Sequence, residues 1–290
     1  MDFINKRRIW YTISLVVIGL GLISILFQGL NLGIDFVGGT IIEFKFNENT
    51  TVTTADIREI LGQFGLEKTS SVVKTHNPEG FFIRTKELTP AEVLEIEKAI
   101  KAKYPEAERL KVEHVGPTIG KELRIKALLA LLVASIAIVA YISLRFQFKY
   151  AIAAIVALLH DVAVVIGLFS IFRLEINTPF VAAILTIVGY SINDTIVIFD
   201  RIRENVKFMR KRPLEEICNK AIWDTLPRSI NTSLTTLFTV LAILFFGGTS
   251  IKVFMQALLF GVLAGTYSSI FVAAPLLVTW KNWVVKGERI

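Results

Sequence analysis

The chain has 290 residues, 53% of them hydrophobic, and a formal net charge of +7. That apolar share excludes an ordinary soluble domain, and the single cysteine, Cys218, excludes a disulfide framework. The basic excess could suggest nucleic acid, but its distribution along the chain argues for a membrane instead.

Apolar runs of about 20 residues mark membrane-spanning helices, because a helix rises ~1.5 Å per residue and the hydrocarbon core is ~30 Å thick. Six spans are predicted, over residues 9–27, 127–144, 150–172, 176–199, 229–251 and 253–280. The first is too long for a signal peptide and lacks a small-residue cleavage site, so it reads as a retained anchor. Lys6, Arg7 and Arg8 precede it, and Arg145 and Lys149 join the second and third spans. Arg201, Arg203, Lys207, Arg210, Lys211, Arg212, Lys220 and Arg228 fall between the fourth and fifth, while the opposite short loops hold Arg173 and Lys252. The positive-inside rule then predicts both termini and a loop over 200–228 in the cytoplasm, where the basic loop can meet anionic lipid.

Residues 29–124 form the long polar segment on the other side. Strands are predicted at 40–46, 70–76, 81–86 and 109–115, with a turn at 77–80. Helices are predicted from Thr53 and from Thr89, the latter a capping box with Pro90 at the first position and Glu92 three residues on. The order β-α-β-β-α-β is the split βαβ, ferredoxin-like arrangement. The chain is therefore expected to be a membrane α-helical protein of six spans, with an α+β ferredoxin-like domain between the first two. His76 and His114 have no metal-ligand spacing and read as ordinary strand or surface residues.

Polar groups inside the spans carry the functional signal, because ionisable residues there are costly. Asp161, after His160, lies ~16 Å into the third span, near mid-depth. Asp194 lies ~27 Å into the fourth, in its cytoplasmic third. Tyr190 shares its helix face, with Thr186 a turn above, and Gly189 and Asn193 form an adjacent small and polar strip. The fifth span opens with Arg228-Ser229-Ile230-Asn231-Thr232-Ser233, on the same side as Asp194. Asp194 reads as a titrating acid within reach of Arg228, against the alternative of a structural ion-pair member. Asp161 reads either as a relay companion or as a hydrogen-bonding tie between helices. No phosphate-binding Gly-x-x-x-x-Gly-Lys loop, zinc motif or nucleophile with a placed base is seen, so neither an enzyme nor a cofactor is expected.

Five segments, in order, carry a family resemblance: GIDFVGGT (33–40), VGPTIGKEL (115–123), LLHDVAVV (158–165), VGYSINDTIVIFDRIREN (188–205) and LPRSINTSLTT (226–236). Through them the chain resembles the SecF family, membrane subunits that assist the Sec protein-export channel, within the resistance-nodulation-division superfamily. The resemblance implies a bacterial cytoplasmic (inner) membrane protein that pairs with a separate SecD half. It also implies work at the SecY/SecE/SecG channel, with YajC or YidC, on the emerging preprotein, driven by the proton-motive force. Asp194 and Arg228 match the family's proton-pathway pair; Asp161, Asn193 and Tyr190 are the further proton-pathway candidates that the reading of the spans supplies. Asp35, Gly38 and Gly39 mark the junction of the first span and the outer domain, as a tight turn or a hinge. The alternative is half of a proton-coupled exporter of small molecules or lipids from the same superfamily; a further one is a scaffold that only stabilises the channel.

Overall fold

The computed structural model describes residues 2–47, 52–67, 69–76, 79–145, 148–209 and 211–284. The predicted turn at Asn77-Pro78 and the tail over 285–290 lie outside the described residues. The chain divides into two compact units, Met1–Asn31 with Ala130–Ile290, and Leu32–Leu129.

The second unit holds a four-stranded sheet. Its elements are β1 (Gly39–Lys45), α2 (Thr54–Gly62), β2 (Ser71–His76), β3 (Glu79–Thr85), α3 (Pro90–Lys103) and β4 (Glu108–Val115). The strand order is β2-β3-β1-β4, with every neighbouring pair antiparallel. Thr40, Ile42 and Phe44 alternate onto one face of β1 and are fully buried, as period-two patterning requires. Ile42 and Phe44 meet Phe81 and Ile83 from β3, Ile57 and Leu61 from α2, and Ile96 and Ile100 from α3 in one core. Both helices start on reciprocal caps, Thr53 with Asp56 and Thr89 with Glu92. The strand bounds agree with those predicted to within two residues at each end.

The membrane unit is built on α1 (Arg7–Gln28), the later part of α4 (Pro117–Arg145), α5 (Phe148–Ile171), α6 (Thr178–Phe208), α7 (Leu214–Phe246) and α8 (Thr249–Ser268). A π-helical turn, Ser269–Ala273, joins α8 to α9 (Ala274–Val284). Among the described residues, six helical stretches are long and apolar enough to cross a membrane, the last running through the π turn. The chain is a multi-pass membrane protein.

One prediction is corrected here. Residues 200–228 do not form one loop: α6 continues to Phe208 and α7 begins at Leu214. Hydropathy falls in this stretch, but its charges are spaced to pair along and between helices. Arg203 bonds Asp200, Arg201 bonds Glu204, and Arg212 bonds Glu216. Arg201 also crosses to Asp224 on α7 at 2.9 Å, and Lys220 reaches the same carboxylate at 3.3 Å. Pro227 sits inside α7 without ending it. The fifth span also ends earlier than predicted, at Phe246, because Gly247 and Gly248 interrupt the apolar run.

Candidate functional site: buried acids of the helix bundle

The site is organised by α6. Asn177 caps its start, accepting the Phe180 N–H at 3.2 Å. One face of α6 is buried from Phe180 to Ile202, interleaving Ser191, Asp194 and Thr195 with isoleucine and phenylalanine. Small residues on α8 let the two helices approach closely. A Cβ on Gly261 would lie 2.2 Å from Ile187, and one on Gly265 would lie 3.0 Å from the Ser191 side chain.

Asp194 is 3% exposed, and its Oδ2 has no hydrogen-bond partner. Ser229 Oγ, on α7, is likewise buried without a partner. Arg228 precedes it on an exposed stretch of α7, and its charge acts on Asp194. The two do not close into an ion pair, so the acid feels the cation without being neutralised by contact. Tyr190, one turn from Asp194, is half-buried and donates its hydroxyl to Ser233 Oγ at 3.3 Å. Ser233 in turn bonds Thr266 of α8 at 2.6 Å. Asn193 points off the buried face and is exposed.

Asp161 belongs to a different polar cluster. Its Oδ1 lies 3.0 Å from His160 Nδ1, and its Oδ2 accepts the hydroxyls of Ser191 at 2.5 Å and Ser268 at 2.8 Å. Thr195 and Ser269, 2.9 Å apart, extend the cluster along α6 and the π turn. The structure thus brings Tyr190 and the middle of α7, where Arg228 and Ser229 lie, to the Asp194 side of the bundle, and sets Asp161 among hydroxyls of α6 and α8.

The residues missed from sequence are hydroxyls: Ser14, Ser191, Thr266 and Ser268. Ser229 and Ser233, named only as part of the polar start of the fifth span, stand four apart on one helix face.

In the other unit, Gly38 and Gly39 follow the helical turn Ile34–Val37 with φ of 80° and 142°. A Cβ on Gly39 would lie 2.5 Å from Thr85 O, and one on Gly38 would lie 3.0 Å from Pro117. Both positions require glycine for conformation and for close backbone approach. Asp35 lies within that turn, half-buried. His114 is exposed, 3.2 Å from Thr40 Oγ1 and 3.2 Å from Glu87.

A family model for the C-terminal part of the protein export membrane proteins SecD/SecF matches residues 95–283. The SecD/SecF GG motif matches residues 23–49, which include Gly38 and Gly39. The chain belongs to the SecD/SecF family of protein-export membrane proteins. Its relatives include the protein translocase subunits SecF of Thermobaculum terrenum and Calditerrivibrio nitroreducens. Each is 41% identical, over 97% of this chain and 94% of the relative. The crystal structure of SecDF from Thermus thermophilus superposes with a TM-score of 0.90 at 39% identity, covering 97% of this chain. This chain spans 39% of the length of that one. Within the family it is the SecF half that this chain is similar to.

Proposed function

We propose that the chain is an accessory subunit of the Sec protein-export machinery, paired with a separate SecD half and driven by the proton-motive force. It sits in the bacterial inner membrane with both termini cytoplasmic, as its basic segments favour. It assists the SecY/SecE/SecG channel, with YajC or YidC, by moving its outer, ferredoxin-like domain against the emerging preprotein. It is not an enzyme and needs no resident cofactor. The SecD partnership is supported by the long SecDF relative, in which a SecF-like part covers about two fifths of one chain.

The observation that carries this reading is the Asp194 carboxylate, buried, with one oxygen unpartnered and a cation at Arg228 acting on it without contact. An acid in that state can take up a proton from one side and give it to the other when the surrounding helices shift. Each proton moved down 100 mV yields about 2.3 kcal/mol, enough for one or two to bias a domain motion. Asn193 and Arg228, exposed in the single chain, then face the SecD half, and Tyr190 extends the pathway.

Asp194→Asn tests this directly. The variant is expected to fold, assemble with SecD and lose the stimulation of export by the proton gradient. Gradient-dependent export at the normal rate in that variant overturns the proposal.

A further inference from the structure

The sheet-bearing unit leaves one edge strand open beside an apolar groove. β4 ends the sheet next to β1, and among the described residues no strand pairs on its other side. About half of its backbone N–H and C=O groups therefore face outward. The face of the sheet that the helices cover elsewhere is left bare at β4. Val112 stands opposite the fully buried Ile42, on the same face, yet is 40% exposed. At the other edge, on β2, Val72 holds the matching inward position and is only 7% exposed.

The groove between α3 and β4 has a volume of about 560 Å³, ample for a bulky side chain. Leu88 and Val93, both buried, form its floor; Leu94, 49% exposed, stands on the α3 wall and Val112 on the strand wall. Two polar contacts cross from β4 toward α3 and close the ends. Arg109 Nη1 meets Glu97 Oε2 at 2.7 Å, and His114 Nε2 lies 3.2 Å from Glu87 Oε1. His114 Nδ1 also lies 3.2 Å from Thr40 Oγ1, which accepts the Leu88 N–H at 3.0 Å. On the opposite face of β4, Lys111 pairs with Glu113. The charged groups around the groove thus have partners within the unit, and the groove itself offers apolar surface and open backbone.

We propose that this edge docks an extended, unfolded polypeptide segment, whose backbone pairs with β4 while a bulky apolar side chain enters the groove. Pairing through the backbone supplies affinity without regard to sequence, and the pocket selects segments with an apolar residue at the position that faces it. A charged ligand finds no free counter-charge among the groups lining the groove. A second copy of the chain is disfavoured by the shape of the edge. Leu110 has no partner on β1, because a bulge shifts the register between Glu43 and Phe44. Such bulges, and edge lysines like Lys111, keep one sheet from meeting another. A short flexible segment can still follow the strand over residues 111–115.

The identity of that segment as the passing preprotein rests on the export reading above. Its chemistry, extended and apolar at the anchoring position, rests on the groove and the open edge alone.

The test uses the full chain in lipid nanodiscs and a short synthetic peptide of serine and threonine with p-benzoylphenylalanine at its centre. Irradiation is expected to cross-link the peptide to residues 88–94 and 109–114, and an excess of the same peptide with a central phenylalanine to compete. Leu94→Glu, at an exposed position outside the core, is expected to lower cross-linking by about tenfold, as loss of an anchor pocket does. Methylating the peptide's backbone nitrogens removes the donors that pair with β4 and is expected to weaken cross-linking as well. Cross-links that spread over the chain, or that persist in Leu94→Glu, overturn the proposal. So does a methylated peptide that binds as well as its parent, since the groove then takes apolar groups without a strand. Asp194→Asn is expected to leave cross-linking unchanged, so docking and proton coupling fail separately. Export at the normal rate in a Leu94→Glu chain that has lost docking overturns the assignment of the segment to the preprotein.

Discussion

Gly21 on α1 and Gly167 on α5 stand backbone to backbone. A Cβ on Gly21 would lie 2.7 Å from Gly167 Cα, and one on Gly167 would lie 2.9 Å from Gly21 Cα. No side chain intervenes, so any substitution must push the helices apart. Overpacking typically costs about 1–3 kcal/mol, and a backbone obstacle that cannot rotate away belongs at the upper end. Gly167→Leu is therefore expected to lower the thermal unfolding midpoint in detergent. Gly19→Leu, where no atom lies within 4 Å, is expected to leave it unchanged.

Tyr190, Ser233 and Thr266 link α6, α7 and α8 by two hydrogen bonds of 3.3 and 2.6 Å. Bonds of this kind within membranes average only ~0.6 kcal/mol, because the alternative states also find partners. Tyr190→Phe and Ser233→Ala should each destabilise by less than about 1 kcal/mol. A double-mutant cycle between them should return a coupling near ~0.6 kcal/mol, measured by unfolding in mixed micelles.

Phe3 is 4% exposed and packs against Trp223 and Phe271 at ring-centroid distances of 5.3 and 5.8 Å. Its N–H donates to Asn219 on α7 at 2.8 Å, and Trp10 Nε1 donates to its carbonyl at 3.1 Å. The residue thus fastens α7 to α1 and to the π turn. Phe3→Ala should cost about 3–5 kcal/mol if the cavity stays open. Red-shifted tryptophan emission from Trp10 and Trp223, together with faster proteolysis near residues 219–223, would register that loss.

The caps of the sheet-bearing unit should make it acid-sensitive. Glu92 accepts the Thr89 N–H and hydroxyl, each at 2.7 Å, and these bonds hold its carboxyl below the usual range. The Thr53 hydroxyl, then the Thr53 N–H, do the same for Asp56. A carboxyl depressed in the folded state contributes stability that is present above its unfolded value and lost as the pH falls through the folded one. Unfolded values lie near 4, so the contribution is complete at neutral pH and fades below about pH 4. Hydrogen exchange at the first turns of α2 and α3 should accelerate there beyond the intrinsic pH effect. Thr89→Ala, expected to cost about 1 kcal/mol, should remove that excess at α3 only.

Much of the sheet-bearing unit was legible because its signals are local. Thr89-Pro90-Ala91-Glu92 announces a helix start, and the alternation from Thr40 to Phe44 announces a strand with one buried face. The spans were legible from length and apolarity, and Asp194 from its isolation among them. The hairpin over 200–228 was not, because a charged helix and a charged loop have the same hydropathy. The pairing of Arg201 with Asp224, across two helices, distinguishes them. The serine network around Asp161 was hidden for another reason. A serine in a membrane helix can bond its own preceding carbonyl, as Ser135 does, or a neighbour, as Ser191 does, and sequence does not say which.

The paired ends of α6 and α7 have a mechanical meaning. From Asp194 to Phe208 the helix runs unbroken through 14 residue-to-residue rises, a length of about 21 Å. A tilt of about 5° pivoting at the acid would carry the far end roughly 2 Å sideways over that length. The Arg201–Asp224 clamp obliges α7 to travel with it. An event as small as one proton changing place could then be read at a distance, by whatever surface meets the tip of the hairpin, as a displacement larger than a hydrogen bond can tolerate.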